Sequence, residues 1–161
     1  TYDGPTYFYR IPAAGGEAVE IGVNDSIAQA TGLAADATYL YVYGRAGEST
    51  EGIFRLRRDM LTDRAQLPIE LFSGPNLSDD NGAVFVDSTA DASVLYFRTY
   101  SPAHVYFMIE PDRSSGPLYT GVLWRAPSSR PEANLAYDPS GPSLFFVNTA
   151  GATSGQWLRL D

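Results

Sequence analysis

The chain has 161 residues, of which 44% are hydrophobic and 19% charged, and its 19 acidic and 11 basic side chains give a net charge of −8. This composition is typical of one packed domain and excludes disorder, and the acidic balance argues against nucleic acid and anionic membranes as partners. Cysteine and lysine are both absent, which excludes disulfides, thiolate metal sites and catalysis by a lysine amine. The sequence contains no apolar run long enough for a membrane helix and no signal-peptide pattern, so we expect no membrane insertion.

Short β-like segments of four kinds recur in a fixed order along the chain. Segment a ends at Asp36, Asp87 and Asp138, which stand 51 positions apart, and an aromatic segment b follows each of them. Segment c has the pattern apolar, arginine, aliphatic, and segment d is represented by Val19-Glu20-Ile21, Ile69-Glu70-Leu71 and, more loosely, Val122-Leu123-Trp124. In chain order, the units are residues 1–26 with segments c and d, 31–74 and 82–126 with all four, and 133–161 with a, b and c.

The residues between and within these segments predict how each unit is built. Each aspartate at the end of segment a is expected to accept hydrogen bonds from the turn that follows. Arg10, Arg55 and Arg159 of segment c are expected to project away from the core side chains or to form ion pairs between units. The aromatic residues of segment b are expected to lie in the core, and one helical turn is predicted within 60–66.

The line Tyr9-Arg10-Ile11 with Gly15-Gly16, then Gly32-Leu33-Ala34-Ala35-Asp36, then Tyr39-Leu40-Tyr41-Val42 resembles the blades of the YWTD and NHL/SMP-30-like β-propeller families. The tetrapeptide Tyr41-Val42-Tyr43-Gly44 lacks the Trp and Asp that name the first family. The resemblance implies an all-β fold, a β-propeller with about three four-stranded blades of about 51 residues.

Three blades are too few to close a ring, because propellers have four to eight. The start at Thr1 and the end within a unit favour a partial ring that belongs to a longer chain. Two other completions are half of a ring assembled from two copies and a ring closed by a partner chain. A β fold other than a propeller is the remaining alternative.

In propellers of this kind, the d-to-a and b-to-c connections lie on one face, which commonly binds ligands. The resemblance therefore predicts a partner-binding face formed by Asn24, Asp25, Asp79, Asp80, Asn81, Arg130 and Glu132. Asp25, Asp80 and Glu132 lie in corresponding connections, and the similarity to SMP-30-like lactonases makes them candidate ligands for a calcium-type cation.

No complete catalytic set is present. His104 is the only histidine, and no Gly-x-Ser-x-Gly motif occurs. The sequence therefore favours a non-catalytic, extracytoplasmic binding or scaffold module without a cofactor, which contacts a protein or glycan through its loop face. One alternative is a metal-dependent lactonase or hydrolase with carboxylates in the channel, and another is an oligomeric sugar-binding propeller.

Overall fold

A computed structural model describes residues 4–46, 50–73, 84–87, 94–100, 103–109, 119–125, 135–138, 143–148 and 156–160, with side-chain surroundings for 4–46, 51–72, 84–86 and 94–97. These residues form strands and one short 3-10 helix, Arg58–Met60, which confirms the all-β prediction. Within the described ranges, no helix has the length and apolarity needed to cross a membrane. The strands are β1 (Thr6–Arg10), β2 (Val19–Asn24), β3 (Ile27–Ala35), β4 (Tyr39–Ala46), β5 (Thr50–Arg57), β6 (Ile69–Ser73), β7 (Val84–Asp87), β8 (Val94–Tyr100), β9 (Ala103–Ile109), β10 (Tyr119–Arg125), β11 (Leu135–Asp138), β12 (Ser143–Asn148) and β13 (Gln156–Leu160).

The strands form antiparallel sheets in which neighbours in the chain are neighbours in space. Strands β1 and β2 pair with each other, β3 to β6 form a four-stranded sheet, β7 to β10 form another, and β11 to β13 form a three-stranded sheet. Each of the predicted a, b, c and d segments overlaps one of these strands. We call the sheet of β1 and β2 the first sheet, and the sheet of β3 to β6 the central sheet.

The central sheet is buried on both faces, which follows from the sequence of β4. Alternate side chains of a strand point to opposite faces, and all of the residues Leu40, Tyr41, Val42 and Tyr43 are buried. The first face packs against the next sheet, in a cluster formed by Tyr41, Tyr43, Ile53, Leu71, Val84, Leu95 and Phe97. The second packs against the first sheet, in a cluster formed by Phe8, Ile27, Leu40, Val42, Phe54, Leu56 and Leu61. The prediction that segment b is core is confirmed for Tyr41, Tyr43 and Phe97.

In three strand pairs the later strand contains one extra residue, which forms a bulge. These strands are β2 where it pairs with β1, β6 where it pairs with β5, and β10 where it pairs with β9, and we call them the outer strands. The register shifts between Phe8 and Tyr9 in the first sheet and between Ile53 and Phe54 in the central sheet. It shifts again between β9 and β10, where Val122 pairs with Tyr106 and Trp124 pairs with Val105. An extra residue bends a strand and increases its twist, so the three outer strands bend at comparable places.

The connection from β5 to β6 packs against β2. The helical turn lies at Arg58–Met60 and shares only Met60 with the predicted range of 60–66. Leu61 is buried, and its carbonyl accepts a hydrogen bond from the Val23 N–H at 3.2 Å. A side chain at Gly22 would overlap the Leu61 carbonyl, so glycine is required for this approach.

Asp36 caps the β3–β4 turn, as the sequence predicts. Its Oδ1 accepts hydrogen bonds from the Thr38 and Tyr39 N–H groups, both at 2.7 Å, and its Oδ2 accepts one from the Tyr41 hydroxyl at 2.6 Å. The side chains of Asp87 and Asp138 lie outside the described residues.

Arg55 of segment c projects from the face opposite Phe54 and Leu56, as predicted, but it is buried there. This side chain is 3% exposed, and its guanidinium carbon lies 4.8 Å from the centre of the Tyr39 ring. Arg55 does alternate with its apolar neighbours, but the opposite face of the central sheet is also covered. Arg10, in the first sheet, is exposed as expected, and the side chain of Arg159 is outside the described residues.

Candidate partner-binding groove

Asn24, the first of the predicted binding residues, has a structural role. It is buried, and its Oδ1 accepts hydrogen bonds from the Ser26 and Ile27 N–H groups, both at 3.0 Å. Its Nδ2 donates to the Gln66 carbonyl at 2.7 Å. The amide therefore closes the β2–β3 connection and ties it to the β5–β6 connection, as expected for a buried polar side chain that must be satisfied.

Asp25, the next predicted residue, is paired with Arg64 on the surface. The Arg64 Nη2 lies 2.9 Å from Asp25 Oδ1, and the Asp25 N–H donates to the Arg64 carbonyl at 3.1 Å. The hydrogen bond from this guanidinium to Asp25 raises the pKa of Arg64 above its ordinary value. Both predicted residues thus join two connections within the chain.

Of the three predicted cation ligands, Asp25 lies among the described residues, and Asp80 and Glu132 lie outside them. No group of three or more histidine, cysteine, aspartate or glutamate side chains there is arranged to hold a metal ion. Arg64 Nε contacts both carboxylate oxygens of Asp25, at 3.3 and 3.2 Å. The other predicted residues lie outside the described ranges: Asp79, Asp80, Asn81, Arg130 and Glu132.

A groove of about 260 Å³ lies between β1 and β3. Its lining is uncharged and consists of Thr6, Tyr7, Phe8, Ala30, Thr31, Gly32 and Leu33. Phe8 is buried and belongs to the core, whereas Tyr7 and Leu33 are half-exposed at the rim. The groove therefore combines a fixed apolar floor with accessible apolar walls and threonine hydroxyls.

A bulge in β3 shapes one wall of this groove. Ala28 pairs with Arg45 and Gly32 pairs with Tyr43, so residues 29–31 stand outside the β3–β4 ladder. Gln29 has a φ of 50°, an uncommon conformation for a residue other than glycine. Bulges and such backbone conformations are frequent at functional sites.

Residues behind the bulge and beside it hold the wall in place. A Cβ at Gly44 would lie 3.1 Å from the Ala30 Cα, so the absence of a side chain at Gly44 lets the bulge lie directly on β4. The Thr6 hydroxyl donates to the Ile27 carbonyl at 2.7 Å and fixes β1 to the start of β3. Next to Gly44, the partly buried Arg45 forms an ion pair with its cross-strand partner Glu51 at 2.9 Å.

Sequence reasoning missed this groove because none of its residues carries a charge or a recognisable catalytic group. The available signal was the stretch 29–32, which interrupts the alternation of a strand with Gln, Ala, Thr and Gly. Comparison of the chain with protein-family models, with curated proteins and with solved structures finds no match.

Proposed function

We propose that this chain is a non-catalytic binding module of the β-propeller type that holds an extended segment of a protein partner in the groove between β1 and β3. The observation that carries the proposal is the bulged, uncharged wall formed by residues 29–33 beside β1.

The arrangement of the sheets supports the propeller part of the proposal. The first sheet and the sheet of β7 to β10 pack against opposite faces of the central sheet. The outer strand bends at a comparable place in three of the strand pairs. Packed sheets of four antiparallel strands in chain order are the building plan of propeller blades.

The chemistry of the groove favours a protein segment over a glycan. Residues 29–31 are outside the β3–β4 ladder, so their backbone groups do not take part in its pairing, and Leu33 and Tyr7 offer apolar contacts to the side chains of an added extended chain. A glycan needs several polar groups placed around it, and the side chains that line the groove supply only the hydroxyls of Thr6, Thr31 and Tyr7.

A displayed library of random peptides tests this proposal. The immobilised chain should enrich a set of peptides. The Leu67→Asp variant is the control and should bind these peptides as the parent chain does, since Leu67 is 78% exposed and is not part of the groove. The same peptides should bind the Leu33→Asp variant at least about tenfold more weakly, because a carboxylate would then have to be desolvated against the peptide.

Two outcomes would reject the proposal. Peptides that bind the Leu33→Asp and parent chains equally would show that binding occurs elsewhere. Failure to enrich any peptide, combined with glycan-array binding that depends on Leu33, would assign the groove to a sugar instead. Far-UV circular dichroism of both variants confirms that they are folded.

A further inference from the structure

Strand β1 has an edge that faces the groove. Among the strands that the structure describes, β1 pairs with β2 and with no other. The β5–β6 connection packs against β2, through the hydrogen bond from the Val23 N–H to the Leu61 carbonyl, and the groove between β1 and β3 lies along the other edge of β1. Alternate backbone groups of an edge strand point away from its sheet and can pair with an added strand.

Strands β1 and β2 correspond to β5 and β6 of the central sheet. The sequence Tyr9-Arg10-Ile11 matches Phe54-Arg55-Leu56, and the register shift falls just before Tyr9 in one strand pair and just before Phe54 in the other. In the central sheet, β5 pairs with β6 along one edge and with β4 along the other. The first sheet therefore has no described strand at the position that β4 occupies beside β5.

Leu33 of β3 and Val84 of β7 occupy equivalent positions. Each stands three residues before the aspartate that ends segment a, and the two are 51 residues apart. Leu33 pairs with Val42, which belongs to the cluster shared with the first sheet. Val84 pairs with Phe97, and both belong to the cluster shared with the central sheet. Because cross-strand pairs lie on one face, each of the two residues is directed at the sheet that precedes its own in the chain.

These two equivalent residues differ in what covers them. Val84 is 4% exposed, because it lies in the cluster that includes Tyr41 and Tyr43 of β4. Leu33 is 53% exposed, because no described strand of the first sheet stands where β4 stands in the central sheet.

Two further equivalent pairs show the same difference. Val86 packs against the cluster that contains the β4 tyrosines, whereas Ala35, at the same position of β3, is exposed. Arg55 is 3% exposed and lies 4.8 Å from the centre of the Tyr39 ring of β4, whereas Arg10 is exposed. Both walls of the groove thus have side chains that β4 covers at the equivalent positions of the next interface.

We propose that the partner segment adds to β1 as an antiparallel strand, at the position that β4 occupies beside β5, with aromatic side chains at alternate positions over Leu33 and Arg10. This inference rests on the function proposed for the groove and specifies the partner that it holds. The direction follows from the pairs β4–β5 and β8–β9, which are both antiparallel. The aromatic side chains follow from β4, whose Tyr39, Tyr41 and Tyr43 pack with the equivalents of Leu33 and Arg10.

A synthetic peptide with the sequence of β4, Tyr39–Ala46, is the probe for this proposal. Fluorescence anisotropy of the labelled peptide should show that it binds the intact chain, and Leu33→Asp in the chain should weaken binding at least about tenfold. Arg10→Gln should weaken binding about two- to fivefold, because the contact between the guanidinium and an aromatic ring is lost. Arg57→Gln is the matched control, at an exposed arginine outside the groove, and should leave binding unchanged.

Methylation of single backbone nitrogens of the peptide tests the pairing with β1. In an antiparallel pair, only alternate N–H groups of a strand point at its neighbour. Methylation of these nitrogens removes a hydrogen bond and brings a methyl group against β1, so it should weaken binding at least about tenfold. Methylation of the nitrogens between them should change binding by less than about twofold.

Side-chain exchanges in the peptide test the aromatic pattern. Tyr41→Ser and Tyr43→Ser in the peptide should each weaken binding at least about tenfold, because the apolar area of a ring is lost from the contact with β3. Leu40→Ser and Val42→Ser are the matched controls, since these alternate side chains would face away from the central sheet, and they should stay within about twofold of the parent peptide.

The possible results separate this inference from the function proposed for the groove. Equal effects of methylation at adjacent nitrogens would show that the peptide does not pair with β1, and equal effects of the serine exchanges at adjacent residues would reject the aromatic pattern. A β4 peptide that fails to bind, while library peptides bind in a manner that depends on Leu33, would reject strand addition and leave the groove as a binding site. Absence of Leu33-dependent binding by any peptide would reject both proposals.

Discussion

Replacing Asp36 with alanine should destabilise the central sheet, because one carboxylate serves three donors there. Two are backbone N–H groups of the β3–β4 turn, those of Thr38 and Tyr39. The third is the hydroxyl of Tyr41, a fully buried residue of the core cluster. The substitution therefore affects the turn and the core together.

The size of the effect follows from the environment of each donor. The turn N–H groups can bond to water after the substitution, so their loss should cost about 1 kcal/mol, as for a helix cap. The Tyr41 hydroxyl loses a charged acceptor at a part-buried position, which costs about 1–3 kcal/mol. Asp36→Ala should thus lower the free energy of unfolding by about 2–4 kcal/mol.

Urea denaturation followed by far-UV circular dichroism measures this change. Tyr41→Phe is the matched control, because it removes the hydroxyl and leaves both turn bonds; we expect a loss of about 1 kcal/mol. Asp36→Asn, which keeps an acceptor for the turn, should lie between the two. The reasoning would be refuted by an Asp36→Ala variant within about 0.5 kcal/mol of the parent, the range of neutral surface changes.

Three further predictions concern other parts of the fold. Phe54→Ala should cost about 3–5 kcal/mol in urea denaturation as a cavity in the core, whereas Leu67→Ala at the surface should stay within about 0.5 kcal/mol. Gly44→Val should push the β3 bulge away, cost about 1–3 kcal/mol by the same assay and weaken peptide binding in the groove. The hydrogen bond from Arg57 lowers the pKa of Asp59 below its ordinary value of 3.8. The stabilisation from this pair should therefore be complete above that value and lost as the pH falls through the lower folded pKa; a carboxyl NMR titration should show the shift, and Arg57→Gln should abolish it.

The strands could be predicted from the sequence because their signals are local. The repeated aspartates and the turn residues after them mark where segment a ends and segment b begins, and the observed β3–β4 turn at Asp36 has the predicted hydrogen bonds. The continuous apolar run of β4 likewise indicates a buried strand. These features depend on residues within a few positions of one another.

The intrachain contacts of Asn24 and Asp25 could not be predicted in the same way, because their partners are distant in the chain. Asn24 bonds to Gln66, and Asp25 pairs with Arg64, in a connection that follows three later strands. A polar residue in a loop looks available for a ligand until the contacts made by the folded chain are known. The groove has the opposite problem, since its residues are ordinary and only the approach of β1 to the bulge of β3 brings them together.

Phe8 connects the groove to the core. It lines the groove and belongs to the cluster that joins the first sheet to the central sheet, so it holds β1 against the central sheet. A change that loosened β1 would therefore impair peptide binding and lower the free energy of unfolding together. Leu33→Asp acts on the other wall of the groove, on β3, at a side chain that is half-exposed, so it should weaken peptide binding and leave the free energy of unfolding within about 0.5 kcal/mol of the parent. Loss of binding without loss of stability would show that the wall of β3 contacts the peptide directly.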